Sequence, residues 1–331
     1  MELLEPLRFE RRFVEKIWGG RALERRPGIE LPAGMRVGET WEIVDRADGS
    51  SVVAVGAHRG RTLRELMEEH GRAILGSAPP TSDGRFPLLV KYLDASKNLS
   101  VQTHPDDETA ARIGGGAEGK TEAWYFLDVA RGGAIYTGPR PEVSPEDFAA
   151  VADGPAVVET MFRWDVAAGE CMVVPGGTVH AIGAGVTLLE VQQNSDTTYR
   201  LWDWGRVGDD GRPRATHVAE ALRSVRFGRP ERPPVQPIWE HPAEGLERAP
   251  FARTTHFGMN ALRVSARVRL STGGQFQIYA VVGGSGMLKT RATGEEHPLR
   301  PGDTWLVPAA VGFHYVEPEG ELTLVQLLKR S

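Results

Sequence analysis

Four side chains are spaced so that one divalent ion could sit among them. Gln102 and His104 stand two apart in NLSVQTH, Glu122 follows Lys120 in GKTEAWYFLDV, and His180 ends VPGGTVH. Alternate side chains of a β-strand share a face, so Ser100, Gln102 and His104 fall together, as do Lys120 and Glu122 if their strand starts at Gly119. His180 comes after a Pro-Gly-Gly corner, where the rim of a barrel presents it. Imidazole nitrogen, carboxylate oxygen and amide oxygen suit zinc, and equally iron, manganese or nickel. Such a set still admits water or substrate if coordination expands to five. Each member has an ordinary reading as well: a satisfied core histidine, a glutamine bonded to backbone, a Glu122–Lys120 ion pair. The combination Q-x-H, K-x-E and P-x-G-x-x-H in chain order carries more than its parts.

Short strands are the elements that must position these residues. Residues 36–55 read as two strands joined by an Ala-Asp-Gly-Ser turn. A helix follows over 62–75, opened by Thr62 with Glu65 three residues on, which is a capping box. Strands are expected at 87–95, 98–104 and 121–129, with a short helix after Pro105 whose first turn takes Asp106 and Asp107. A second capped helix runs from Ser144 to about Val151. Residues 157–193 are again β in pattern, and a helix spans about 217–225. The proline-rich stretch 228–242 reads as an extended, semi-rigid link and the domain boundary. Residues 1–238 then form the metal-binding domain with its short helices, and 239–331 a β domain without a metal site.

A weak internal repeat supports that division. GECMVVPGGTVH at 169–180 and GDTWLVPAAVGFH at 302–314 share a glycine, a five-residue spacer, a proline and a later histidine, as two related β-barrels would. The C-terminal copy has only Gln275 and Gln277 upstream and no ligand partners for His314, so a structural or interface role is expected there rather than a second metal. Trp202 and Trp204, alternate on one strand, read as packing.

Composition narrows the classes. The chain has 331 residues, 40% hydrophobic and 25% charged, with net charge −5 and no basic block, which argues against nucleic-acid binding. The 39 glycines and 23 prolines are scattered, as many short strands and turns require. With Cys171 the single cysteine, neither an internal disulfide nor a multi-cysteine zinc site is possible. No apolar run approaches the roughly 18 residues of a membrane span, and the N-terminus lacks a signal-peptide pattern, so a cytoplasmic location is the expectation.

The motif order resembles the cupin pattern, whose second motif is complete in Gly169, Pro175, Gly177 and His180, while Gln102 replaces a usual histidine in the first. LSVQTHPDDETA, GKTEAWYFLD, VPGGTVHAIGAG and LLEVQQNSDTTYRLWDWGR are similar to the short bacterial form of type I mannose-6-phosphate isomerase. The likeness runs from FVEKIWGG at 13–20 through the C-terminal part, with Thr103 and Ala123 where valine and cysteine are expected. It implies a mainly β fold of two cupin-like, jelly-roll β-barrels with a few short helices. It implies one Zn2+ per chain on Gln102, His104, Glu122 and His180, Arg200 as the catalytic arginine, Lys120 facing substrate, and Glu190 in the wall of the site.

The chemistry so implied is aldose–ketose isomerisation of mannose 6-phosphate and fructose 6-phosphate through an enediol. A C–H must lose its proton and the adjacent oxygen must have its charge stabilised, by a Lewis-acid ion and a fixed guanidinium. Glu190, Lys120 or metal-bound hydroxide is the acid/base, with Glu190 favoured. Ser100 and Lys120 are candidates for the phosphate because they lie on ligand-bearing faces. The small-molecule partner is thus a sugar phosphate; no nucleic acid or membrane is expected, and the protein is a monomer or homodimer. The competing readings are an iron-dependent cupin oxygenase and a non-catalytic sugar-binding cupin; the Lys120–Arg200 pair speaks for an anionic substrate.

Overall fold

In the strand Glu122–Val129, Glu122, Trp124 and Phe126 point one way and Ala123, Tyr125 and Leu127 the other, yet nearly all are buried. A strand buried on both faces belongs to a sheet covered on both faces, and that is how the molecule is built. A computed structural model of the chain describes residues 4–208, 211–228, 232–291 and 293–329. Its strands lie mostly in three sheets.

The central sheet has six strands in the order Cys171–Val174, Glu122–Val129, Val186–Gln193, Leu88–Ala95, Val37–Ile43 and Arg12–Gly20. A five-stranded sheet is ordered Phe162–Asp165, Ala134–Gly138, Val179–Ile182, Val101–Thr103 and Tyr199–Trp202. Between these two sheets lies an apolar cluster that includes Leu93, Trp124, Phe126, Leu188, Ile135 and Ile182. On its outer side the five-stranded sheet buries Val101, Val179, Ala181 and Leu201 with Phe148 of the helix Pro145–Val151 and Ala221 of the helix Val218–Ser224. Period-two alternation therefore turns Gln102, His180 and Arg200 inward.

The other face of the central sheet, including Val90, Tyr92, Tyr125, Leu189 and Val191, shares one core with Ile278, Ala280, Leu306, Val325 and Leu327 of a nine-stranded C-terminal sheet. The helix Leu63–Leu75 closes this core with Leu63, Leu66 and Ile74. The opposite face of the C-terminal sheet, with Tyr279, Val281, Trp305 and Leu324, has its own core. The N-terminal pair Leu7–Arg8 adds to that same sheet beside Thr304–Val307.

Most expected elements are present with small shifts. Thr62 and Glu65 form the capping box of the first helix. Asp106 caps the helix Asp107–Ile113 instead of lying in its first turn. The strand at Glu122 starts after Lys120, and the strand around Gln102 is only Val101–Thr103. Trp204 lies past the end of its strand with φ of 60°, and its ring meets Trp202 at 4.7 Å, so the two tryptophans do pack, through a turn rather than strand alternation. Residues 229–231 of the proline-rich link lie outside the described residues; farther on, Val235 pairs with Cys171 through both backbone bonds. The sequence reading missed the strands Arg12–Gly20 and Ala134–Gly138. Among the described residues no helix is long and apolar enough to cross a membrane.

Candidate metal centre and active site

Cross-strand register assembles the site. Gln102 pairs with both His180 and Arg200 on the five-stranded sheet. On the facing sheet Glu190 pairs with Lys91 and Trp124, two positions along from the Gln192–Glu122 pair and so on the same face. The Pro175–Gly177 corner sets the depth of His180. Gly177 has φ of 90° and donates its N–H to the His104 carbonyl at 2.7 Å. A Cβ on Gly176 would lie 2.7 Å from the Cα of Asp106, so the corner is pressed onto the segment that carries His104.

His104, Glu122 and His180 each offer a ligand atom, all within 4.8 Å of one another, and are 1%, 2% and 1% exposed. His104 Nε2 lies 3.3 Å from Glu122 Oε1, and His180 Nε2 lies 3.7 Å from Glu122 Oε2. Each ring donates its Nδ1 proton to a backbone carbonyl, His104 to Thr197 O at 2.8 Å and His180 to Thr178 O at 3.1 Å. Carbonyls only accept, so both tautomers are fixed and both Nε2 lone pairs face the cluster. Burial keeps both imidazoles neutral: it pushes His180 down to about 3, with His104 adding to the effect, and it lowers His104, with Lys120 adding. For Glu122 burial acts upward, but Lys120, His104 and His180 outweigh it and hold the carboxyl well below its usual range.

Two neutral imidazoles and an ionised carboxylate converging in a buried space are donors that could hold a divalent ion. A cation already stands at its edge: Lys120 Nζ is 2.7 Å from Glu122 Oε1 and 3.5 Å from His104 Nε2. The Gln102 amide nitrogen donates to His180 Nε2 at 3.3 Å, while its Oε1 accepts from Ser100 Oγ at 3.0 Å. A half-turn of the amide would exchange its ends, presenting the oxygen to the cluster and a nitrogen to the Ser100 hydroxyl, which also accepts.

The cluster borders a cavity of about 300 Å³ lined by Gln102, Lys120, Glu122 and His180, and also by Ser100, Glu190 and Arg200. Arg200 donates from Nε to Ser100 Oγ at 3.3 Å and from Nη1 to the Ala215 carbonyl at 2.7 Å. Neither Asp196 nor Asp203 is its ion-pair partner; Asp203 is taken by Arg206 and Arg214. Glu190 accepts from Trp124 Nε1 at 2.9 Å and faces Lys91 Nζ at 3.6 Å. Burial, with Glu122 second, outweighs Lys91 and lifts Glu190 to about 7, where a carboxyl can both take and give a proton at neutral pH.

Several site residues escaped the sequence reading. Lys91, Glu39, Lys16 and Arg214 line the same cavity. Lys91 Nζ lies 3.6 Å from Glu39, whose carboxyl burial pushes up but Lys91 and Lys16 bring down to about 2. A lysine inside the apolar run LLVKYLDA was the available signal, since a buried cation needs a buried anion. The Thr197 carbonyl, which orients His104, has no side-chain signature. His314 donates to the Gly312 carbonyl at 3.1 Å, as His180 does two residues back, and its Nε2 meets the Tyr279 hydroxyl at 2.9 Å. One further group, Glu5, Glu295 and His297, brings ligand atoms together among the described residues, but Glu295 is exposed and stands 4.0 Å from His297 Nε2.

Fold and site together define a mainly β protein with a buried, cation-lined pocket whose floor suits one divalent ion. Comparison with known proteins makes this specific. Residues 7–125 match the sequence profile of the phosphomannose isomerase type I catalytic domain. The chain is 35% identical over 324 residues to mannose-6-phosphate isomerase ManA of Bacillus subtilis, covering 98% of this chain and 99% of that protein. It is 34% identical over 316 residues to mannose-6-phosphate isomerase of Streptococcus mutans, covering 93% and 94%. The crystal structure of the mannose 6-phosphate isomerase from Bacillus subtilis matches with a TM-score of 0.88 at 33% identity, over 98% and 99% of the two chains. The chain belongs to the phosphomannose isomerase type I family.

Proposed function

We propose that this protein is a metal-dependent aldose–ketose isomerase that interconverts mannose 6-phosphate and fructose 6-phosphate. The observation that carries the reading is the cluster itself: two tautomer-fixed Nε2 atoms and an ionised carboxylate bordering a cavity that also holds Glu190 and Arg200. The kinship with the isomerases of Bacillus subtilis and Streptococcus mutans over nearly the whole chain supports the same substrate pair. His104, Glu122 and His180, with the oxygen of Gln102, would hold one zinc ion per chain. A bound zinc ion supplies Lewis acidity toward a carbonyl oxygen.

This chain's own side chains do the rest. Glu190 takes the proton from one of two adjacent carbons and returns it to the other, which its buried position and near-neutral titration permit. Arg200, fixed by Ser100 and the Ala215 carbonyl, stabilises charge developing on the substrate oxygens, an effect worth roughly 3 kcal/mol in a dry site. Lys120 leaves Glu122 to face the substrate and serves both proton transfer and binding. Ser100 contributes a hydroxyl to substrate binding and steadies the Gln102 amide.

The wall cations Lys91, Lys120 and Arg200 favour an anionic sugar over the apolar substrate of an oxygenase. The matched backbone bonds of His180 and His314 support two related cupin-like barrels, divided at 1–238 and 239–331, the second without a metal site. A coupled assay of mannose 6-phosphate conversion, before chelation, after it and after zinc return, tests the function. Turnover lost on chelation and restored by zinc is expected. No turnover by fully metallated protein would refute it.

A further inference from the structure

Resting on the isomerase reading, we propose that Arg214, oriented by Asp203, is a phosphate-binding residue at the outer end of the cavity. Contacts order the wall outward from the metal cluster. Gln102 bonds Ser100, Ser100 bonds Arg200, and Arg214 lines the cavity beside them with its side chain 26% exposed. Arg200 is therefore tied to the cluster through Ser100 and Gln102, whereas Arg214 lines the cavity outside that chain of bonds, where it can meet the phosphate of an extended sugar.

Charge in this corner does not balance internally. Arg200, Arg206 and Arg214 surround one carboxylate, Asp203. Burial, with Arg214 second and Arg206 further down, lowers the basicity of Arg200, while Asp203 opposes it only in part. Crowded cations persist at a site where an anion arrives to neutralise them.

The three arginines differ in what they have left to give. Arg206 is committed to protein: it bonds the Asp203 carboxylate, the Asp203 carbonyl at 3.2 Å and the Asn98 carbonyl at 2.6 Å. Arg214 gives one edge to Asp203, Nε to Oδ2 at 2.7 Å and Nη2 to Oδ1 at 2.6 Å. Among the described residues no hydrogen bond engages its Nη1. A guanidinium clamped along one edge by a carboxylate presents its remaining N–H groups at a fixed angle, as a planar anion-binding fork requires. Asp203 is a positioning residue, sharing its Oδ1 between Arg206 and Arg214.

The test uses full-length protein stripped of metal by chelation, with inorganic phosphate as the probe and calorimetric titration at low salt. Parent protein is expected to bind phosphate, and Arg214→Met to bind it at least about tenfold more weakly, the loss of one charge-assisted contact. Arg214→Lys, which keeps the charge without the fork, should fall between them; Arg59→Met, at an exposed position away from the cavity, should match the parent. If Arg214→Met melts early, the Arg214→Lys deficit carries the test. Equal affinity in parent and both Arg214 variants, or no phosphate binding by the parent, overturns the proposal. Turnover by the zinc-loaded parent is read separately. An active isomerase with unchanged phosphate affinity in the variants sinks this inference alone, and an inactive one with the expected affinity loss sinks the isomerase reading alone.

Discussion

Replacing Trp124 with phenylalanine would remove one proton donor from Glu190 and leave an aromatic ring in its place. Trp124 is fully buried, and its Nε1 lies 2.9 Å from Glu190 Oε2. The other oxygen faces Lys91 at 3.6 Å, so the indole provides the shorter of the two contacts. A hydrogen bond to a charged group contributes about 1.5 kcal/mol at the low end, and about 1.4 kcal/mol corresponds to one pKa unit. The bond favours the ionised form, so losing it raises Glu190 from about 7 to roughly 8. A base works only when ionised, so the acid limb of the pH profile of kcat/KM should move up by about one unit. Near pH 7 the ionised fraction falls from about one-half to about one-tenth, a roughly fivefold loss that vanishes by about pH 9. A bound divalent ion moves both profiles to lower pH, so the displacement between the two enzymes is the diagnostic quantity. Coincident acid limbs at equal metal content would refute Glu190 as the proton-transferring group.

Arg200→Ala should cut kcat by about 10²–10³ while metal content stays at the parent level, checked by steady-state kinetics and elemental analysis. Thr103 is fully buried and, among the described residues, its hydroxyl has no hydrogen-bond partner, so Thr103→Val should stabilise the protein by on the order of 1 kcal/mol in denaturant unfolding. Phe276→Ala should cost about 3–5 kcal/mol, because Phe276 is fully buried and its ring meets Phe86 at 4.7 Å in the core shared by the central and C-terminal sheets.

Local signals were easiest to read from the sequence. The Thr62–Glu65 capping box, the Ser144 cap and the strands around Gln102 and Glu122 each depend on residues close in the chain. The grouping of Gln102, His104, Glu122 and His180 was legible because strand alternation and the Pro-Gly-Gly corner are also local, and three of the four, His104, Glu122 and His180, do converge. What stayed hidden depends on pairing between distant segments. Arg12–Gly20 shows no clean alternation because it is an edge strand with irregular register against Val37–Ile43. Lys91 and Glu39 stand in sequence as parts of ordinary strands; only the pairing of those strands brings Lys91, Glu39 and Glu190 together in one cavity. Arg214 stands in a polar segment without periodicity and gains meaning only through Asp203.

X-ray absorption and elemental analysis of the zinc-loaded protein, with Glu122→Ala measured beside the parent, would show whether His104, Glu122 and His180 hold the ion. One ion per chain is expected, bound by two imidazoles and oxygen donors without sulfur, and lost in the variant. Full occupancy in Glu122→Ala, or a ligand shell with no imidazole, would contradict this assignment.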